Sequence, residues 1–146
     1  MPAPIFHKNP ELKCARCGKD LLTPKPHGVV VIWERNNEEG QRKVEHVYWC
    51  CKGTCDRILA SRIRDKDMVD GWEDIEDLAI PIVYLRWIAA TLNSLGKGRS
   101  YDPKALGAER DLLIGLFPHI SRSLTSKEKE RIRNLMMIPG ALGGLG

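Results

Sequence analysis

Five cysteines stand in this chain of 146 residues, and their spacing is the feature that bears on chemistry. Cys14 and Cys17 form a C-x2-C pair in "CARCGKD". Cys51 and Cys55 form a C-x3-C pair in "YWCCKGTCDR", with Cys50 directly before it. Zinc takes tetrahedral thiolate ligands in structural sites, so two such pairs suit one ion. A C-x2-C turn followed by Gly18 can present two sulfurs to one point. Cys51 and Cys55 lie four apart at an expected helix start, where the helix dipole favours thiolates. Cys50 is an alternative to Cys51, but C-x4-C from a strand end fits less well, and a spare cysteine packs as a small hydrophobe. His27 and His46 are the remaining substitutes. Four thiolates leave no open position for water, so the metal is expected to be structural.

The elements that must position these cysteines are readable around them. Residues 29–33, "VVVIW", are β-branched and aromatic, and 44–49, "VEHVYW", alternate, so both read as strands of a long-tipped hairpin. "TCDRILASRIR" reads as a short helix from about Cys55 to Arg64, with Thr54 as its cap. The hairpin brings the second cysteine pair back to the first.

A C-x2-C knuckle, a hairpin and an aromatic–Cys–x3–Cys entering a helix resemble the layout of treble-clef zinc fingers. "YWCCKGTC" is similar to the cysteine-bearing end of the FCS-like and TRASH-type members. The resemblance covers residues 11–64 and implies one Zn2+ held by Cys14, Cys17, Cys51 and Cys55. It departs from the family pattern in the long gap between the pairs and in Cys50, where those families carry an aromatic. Treble clefs contact DNA, RNA and proteins and scaffold some nucleases, so the resemblance constrains chemistry more than biology.

The rest of the chain reads as helical. "DKDMVDGWEDIED" (65–77) carries seven acids against one lysine and marks a module boundary. Pro81 suits the first turn of a helix running to about residue 95. Asp102 and Pro103 open another, over 102–117, and Thr125 with Glu128 makes a capping box for a last helix over 125–138. The expected fold class is α+β: an arm (1–10), a zinc-binding hairpin–helix module (11–64), an acidic linker (65–71), a three- or four-helix bundle (72–138) and a tail (139–146).

Charge narrows the partners. The net charge is +4, and residues 1–64 hold 12 Lys/Arg against 7 Asp/Glu. Lys13, Arg16 and Lys19 surround the knuckle, Arg42 and Lys43 belong to the hairpin, and Lys52, Arg57, Arg62 and Arg64 flank the second pair. Such a surface suits nucleic acid or an acidic protein face. The alternative is an interaction adaptor that uses the helical part, with Tyr84 and Trp87 or Leu135–Met137 as anchors, or a homodimer through that part. No nucleophile, phosphate-loop or zinc-protease motif occurs, and the helix after Cys55 lacks the histidine a nuclease would need, so no enzymatic activity is expected. No leader or membrane-spanning stretch is apparent, which points to a cytoplasmic protein without membrane attachment.

Overall fold

The computed structural model describes residues 10–36 and 42–120, together with Ser126, Lys127, Glu130 and Asn134. It is a mixed α+β structure. Strand β1 (Val29–Asn36) and strand β2 (Arg42–Cys50) form the expected hairpin. Helix α1 (Thr54–Ile63) follows, then strand β3 (Met68–Asp74) and the single-turn helix α2 (Ile75–Leu78). Helix α3 (Pro81–Gly96), the short strand β4 (Ser100–Tyr101) and helix α4 (Pro103–Leu116) complete it, with a 3-10 turn at Phe117–His119. The sheet order is β3-β1-β2-β4.

β1 is the central strand, antiparallel to β2 on one side and to β3 on the other. Its sequence suits that place, because Val29, Val30, Val31 and Trp33 are all buried. A strand covered on both faces is apolar throughout rather than alternating. Cross-strand neighbours share a face. Val29, Val31 and Trp33 therefore align with Cys50, Tyr48 and His46 of β2 and with Asp74, Trp72 and Asp70 of β3. On this face Trp33 Nε1 donates to the Tyr48 hydroxyl at 3.0 Å. α1 lies beside the same face, where Ala60 and Arg64 share a groove with Asp70. α3 packs at the opposite face, where Ile80, Val83 and Trp87 meet Glu73.

Two sequence expectations are corrected here. The supposed linker at 65–71 holds most of β3, which pairs along β1 from Arg35–Met68 to Val29–Asp74. Hydrogen bonding to β1 outweighs the acidic composition, and only Met68 of this strand is buried. Nor do residues 72–120 stand apart as a bundle. α4 packs against β2, and the buried side chains from Leu12 to Leu116 form one cluster across the expected boundary. The hairpin tip at 37–41, the tail and the helix expected over 125–138 fall outside the described residues, save the four positions named above.

The helix signals hold in part. Asp102 caps α4, its carboxylate accepting from Lys104 N–H at 2.9 Å, with Pro103 at the first position. Pro81 likewise opens α3. Thr54 is not a cap but the first residue of α1; Gly53 takes the cap position with φ of 83°. α3 and α4 are joined by polar contacts inside the core. Trp87 Nε1 and Thr91 Oγ1 both donate to Glu109 Oε1 at 2.7 Å, and the Tyr84 hydroxyl donates to the Leu113 carbonyl at 2.7 Å. The two aromatics proposed as interface anchors are thus turned into the core. Gly115 of α4 sits against the knuckle's lead-in: a Cβ there would come within 2.7 Å of the Pro10 carbonyl oxygen and 3.2 Å of Leu12.

Glu109 is 2% exposed, and burial raises its pKa against the pull of the Thr91 and Trp87 donors. The folded state therefore holds this proton to higher pH than the unfolded chain does, and stability falls as pH rises from the ordinary glutamate value through the raised one. Glu109→Gln removes that dependence. Denaturant titrations should show the variant gaining on the wild type as pH rises above the ordinary glutamate value.

Candidate metal centre

The centre is built from the knuckle, the end of β2 and the start of α1. The knuckle is a tight loop closed on itself. Cys14 N–H donates to the Lys19 carbonyl at 2.8 Å, Gly18 N–H donates to the Cys14 carbonyl at 2.9 Å, and Lys13 pairs with Asp20. Leu12 and Leu21, on either side, are fully buried and anchor the loop. Ala15 N–H donates to the Trp49 carbonyl at 2.9 Å, which docks the knuckle on β2. β2 then delivers Cys51, Gly53 turns the chain, and the first turn of α1 presents Cys55.

One glycine makes this approach possible. Gly28 precedes β1 with φ of 85°, and a Cβ there would lie 2.6 Å from the Cys50 carbonyl oxygen. Any side chain would push the ends of β1 and β2 apart, beside the cysteine pair.

The ligand atoms of Cys14, Cys17, Cys51 and Cys55 all lie within 4.8 Å of one another. Cys17 Sγ and Cys51 Sγ are 3.7 Å apart. A tetrahedral ion with metal–sulfur bonds of about 2.3 Å needs sulfurs about 3.8 Å apart, so the arrangement fits a single ion. All five cysteines are free thiols. Cys50, fully buried, lies outside the cluster, and so do His27 and His46. His27 instead bonds through Nδ1 to the Lys25 carbonyl at 2.8 Å, and His46 is an exposed strand residue.

The thiols differ in their surroundings. Burial raises the Cys14 pKa, but the N–H groups of Cys17, Cys51 and Arg16 outweigh it and hold the thiol at about 6. The first two donate to Cys14 Sγ at 3.5 and 3.4 Å. Cys51 is pushed up to about 12 by burial and by the neighbouring Cys17 and Cys14 sulfurs. At Cys55 the Arg16 guanidinium, 3.6 Å from Sγ, favours the thiolate, yet burial and the other sulfurs raise the pKa overall. Burial, with repulsion from Asp56 and the neighbouring cysteines, pushes Cys50 up to about 12, as suits an inert core thiol. One thiolate is thus stabilised by backbone donors, and the Cys51 and Cys55 thiols near it resist ionising beside a negative charge, which a cation would relieve.

The basic residues named from the sequence differ in what they already bind. Lys13 pairs with Glu11, Arg42 with Glu34, and Lys52 with Asp74. Arg16 is turned to Cys55, and Arg64 shares the groove with Asp70. Lys19, Lys43, Arg57 and Arg62 have no ion pair among the described residues. Among the described residues the Arg57 side chain bonds only to the Thr54 hydroxyl, at 3.3 Å. Sequence reasoning missed the Arg16–Cys55 contact, which no spacing rule signals.

No family model matches the chain, and no curated protein or solved structure matches it.

Metal binding must displace the Cys51 and Cys55 protons at pH 7, so affinity should rise with pH. Calorimetric zinc titrations in buffers of different ionisation enthalpy should register that proton release. Cys14→Ser and Cys51→Ser should abolish stoichiometric metal binding, whereas Cys50→Ala should keep it, as read by metal analysis of the purified proteins.

Proposed function

We propose that the chain is a small structural-zinc protein in which a treble-clef-like knuckle, hairpin and helix are held by one Zn2+, and that it binds nucleic acid beside that centre. The observation carrying the metal assignment is the convergence of four cysteine sulfurs from two distant segments within 4.8 Å. Soft thiolates in a tetrahedral set select zinc over hard cations. The Zn2+ would take Cys14, Cys17, Cys51 and Cys55 as its ligands and contribute about 10 kcal/mol to folding in apparent terms.

The nucleic-acid reading rests on α1 and the knuckle. Arg57 and Arg62 are exposed on α1, and Lys19 is exposed on the knuckle, each without a carboxylate partner among the described residues. Exposed, unpaired cations suit phosphate contacts because they release counterions without first breaking an internal ion pair. Lys13, Arg42 and Lys52 make weaker candidates because they are already paired.

An adaptor role is the second reading. On α3 the exposed large side chains are Leu85, Leu92 and Leu95. Leu85 and Leu92 are seven residues apart and share a helix face, which suits a partner helix or a second copy. No helix among the described residues is long and apolar enough to cross a membrane.

Binding of zinc-loaded protein to a mixed pool of duplex and single strands, at several salt concentrations, tests the main reading. Affinity should fall steeply with salt, and Arg57→Ala with Arg62→Ala should lower the logarithmic salt slope by about two. Absence of binding at low salt would remove the nucleic-acid reading and leave the adaptor. A protein that folds fully and binds no metal would remove the zinc assignment separately.

A further inference from the structure

β3 is an edge strand, and its outer side is open. Asn36 N–H donates to the Asp67 carbonyl at 3.3 Å, and Ile75 N–H donates to the Gly28 carbonyl at 3.0 Å. The register between these two bonds is unbroken, so the alternate residues 67, 69, 71, 73 and 75 face β1. The backbone N–H and C=O of Asp70 and Trp72 therefore point away from the sheet. Among the described residues no strand pairs with that side.

Natural edges are usually blunted by proline, a bulge, a lysine or a covering element. β3 has no proline or lysine, its pairing with β1 carries no bulge, and it presents Val69 and Trp72, 45% and 64% exposed. Its charges are of one sign. Asp65 is paired with Arg35, Asp74 with Lys52 and Glu76 with Lys25. Asp67, Asp70, Glu73 and Asp77 have no ion pair among the described residues. A second copy pairing here would set acids against acids.

Each face of the strand carries its own recess. On one face a groove of about 400 Å3 runs between α1 and Asp70, where Asp56 and Asp70 are balanced by Arg57 and Arg64 beside Ala60 and Ser61. On the other, a cavity of about 410 Å3 has Glu73 and Asp77 against one cation, Arg86, with an apolar wall of Ile80, Val83 and Trp87. Burial, together with repulsion from Asp77 and Asp74, raises the Glu73 pKa against the pull of Arg86, so the acids outweigh the one arginine in this recess. Alternate side chains of an added strand point to opposite faces and would enter these recesses in turn.

We propose that the outer edge of β3 is a docking site for a basic extended peptide segment, which adds a fifth strand through the Asp70 and Trp72 backbone, places lysine or arginine side chains on one face against Glu73 and Asp77, and turns its alternate side chains to the groove beside α1. The edge lies apart from the four clustered cysteines, although its α1-side groove includes Arg57 and Arg64, and it gives the acidic run at 65–77 a role.

The test uses the full-length zinc-loaded protein and a fluorescent peptide of alternating lysine and valine, nine residues long. Three comparisons accompany it: the same peptide with glutamate for lysine, the same peptide with a central proline, and variants of the protein. The lysine peptide should bind, and the glutamate peptide should not. The proline peptide should bind about tenfold more weakly, because one backbone bond is lost. Asp70→Asn removes a charge and keeps the outward N–H, while Asp70→Pro removes both without touching the pairing to β1. Asp70→Pro should weaken binding about tenfold beyond Asp70→Asn. Amide exchange at Asp70 and Trp72 should slow on binding, which mere charge attraction would not produce. Equal affinity for the glutamate peptide, equal affinity of the two Asp70 variants, or unchanged exchange at those two amides would overturn the proposal. So would a concentration-dependent dimer abolished by Asp70→Pro, which would make the occupant a second copy.

Discussion

Four sulfurs gathered within 4.8 Å are an electrostatic liability unless something positive sits among them. Thiolates at that separation repel, and thiols at that separation gain little from each other beyond weak hydrogen bonds. The backbone has nevertheless been arranged to bring them together. The knuckle closes on its own carbonyls, docks on β2 through Ala15 and Trp49, and aims the N–H groups of Cys17 and Cys51 at Cys14. Gly28 removes the one side chain that would hold the strand ends apart. These features make sense together if a cation supplies the attraction that the ligands cannot supply to one another.

The strand order extends that constraint to the rest of the molecule. β1 is buried on both faces and bonded on both edges, so the hairpin that returns Cys51 is also the platform for β3. Ile75 N–H reaches back to the Gly28 carbonyl, and Lys52 pairs with Asp74, so the end of β3 is tied to the turns that flank the cysteines. Gly115 lets α4 press on Pro10 and Leu12 just before the knuckle. The metal centre is thus braced from the sheet on one side and from the last described helix on the other.

The cysteine chemistry was legible in the sequence because it is local. A C-x2-C turn and a C-x3-C helix start each need only a few residues, and the β-branched run between them specifies a hairpin by itself. The choice of Cys51 over Cys50 followed from the same short-range geometry, and the clustering agrees with it. β3 was not legible, because it lacks what marks a strand in isolation. Its seven residues include three acids and a glycine, its buried contribution is Met68 alone, and its pairing partner lies more than thirty residues earlier. A half-exposed edge strand draws its stability from hydrogen bonds to a neighbour that is already in place, and composition is silent about that neighbour. The basic surface is only partly legible for a related reason: formal charges count lysines and arginines, whereas what a partner meets depends on which of them already hold a carboxylate. Lys52 and Asp74 are 22 positions apart and meet only because β3 joins the sheet.

The placement of β3 also sets where the chain can be divided. The sequence invites a cut after Arg64, where the zinc-finger resemblance ends. A fragment ending there would keep all four cysteines yet lose the strand that covers the outer edge of β1. It would expose the backbone of a run of valines, a segment prone to pairing with copies of itself. Without α4 it would also lay bare Leu12 beside the knuckle. Such a piece would carry all four clustered cysteines and still be a candidate for aggregation, because the unit that holds the cluster together is larger than the unit that contains it.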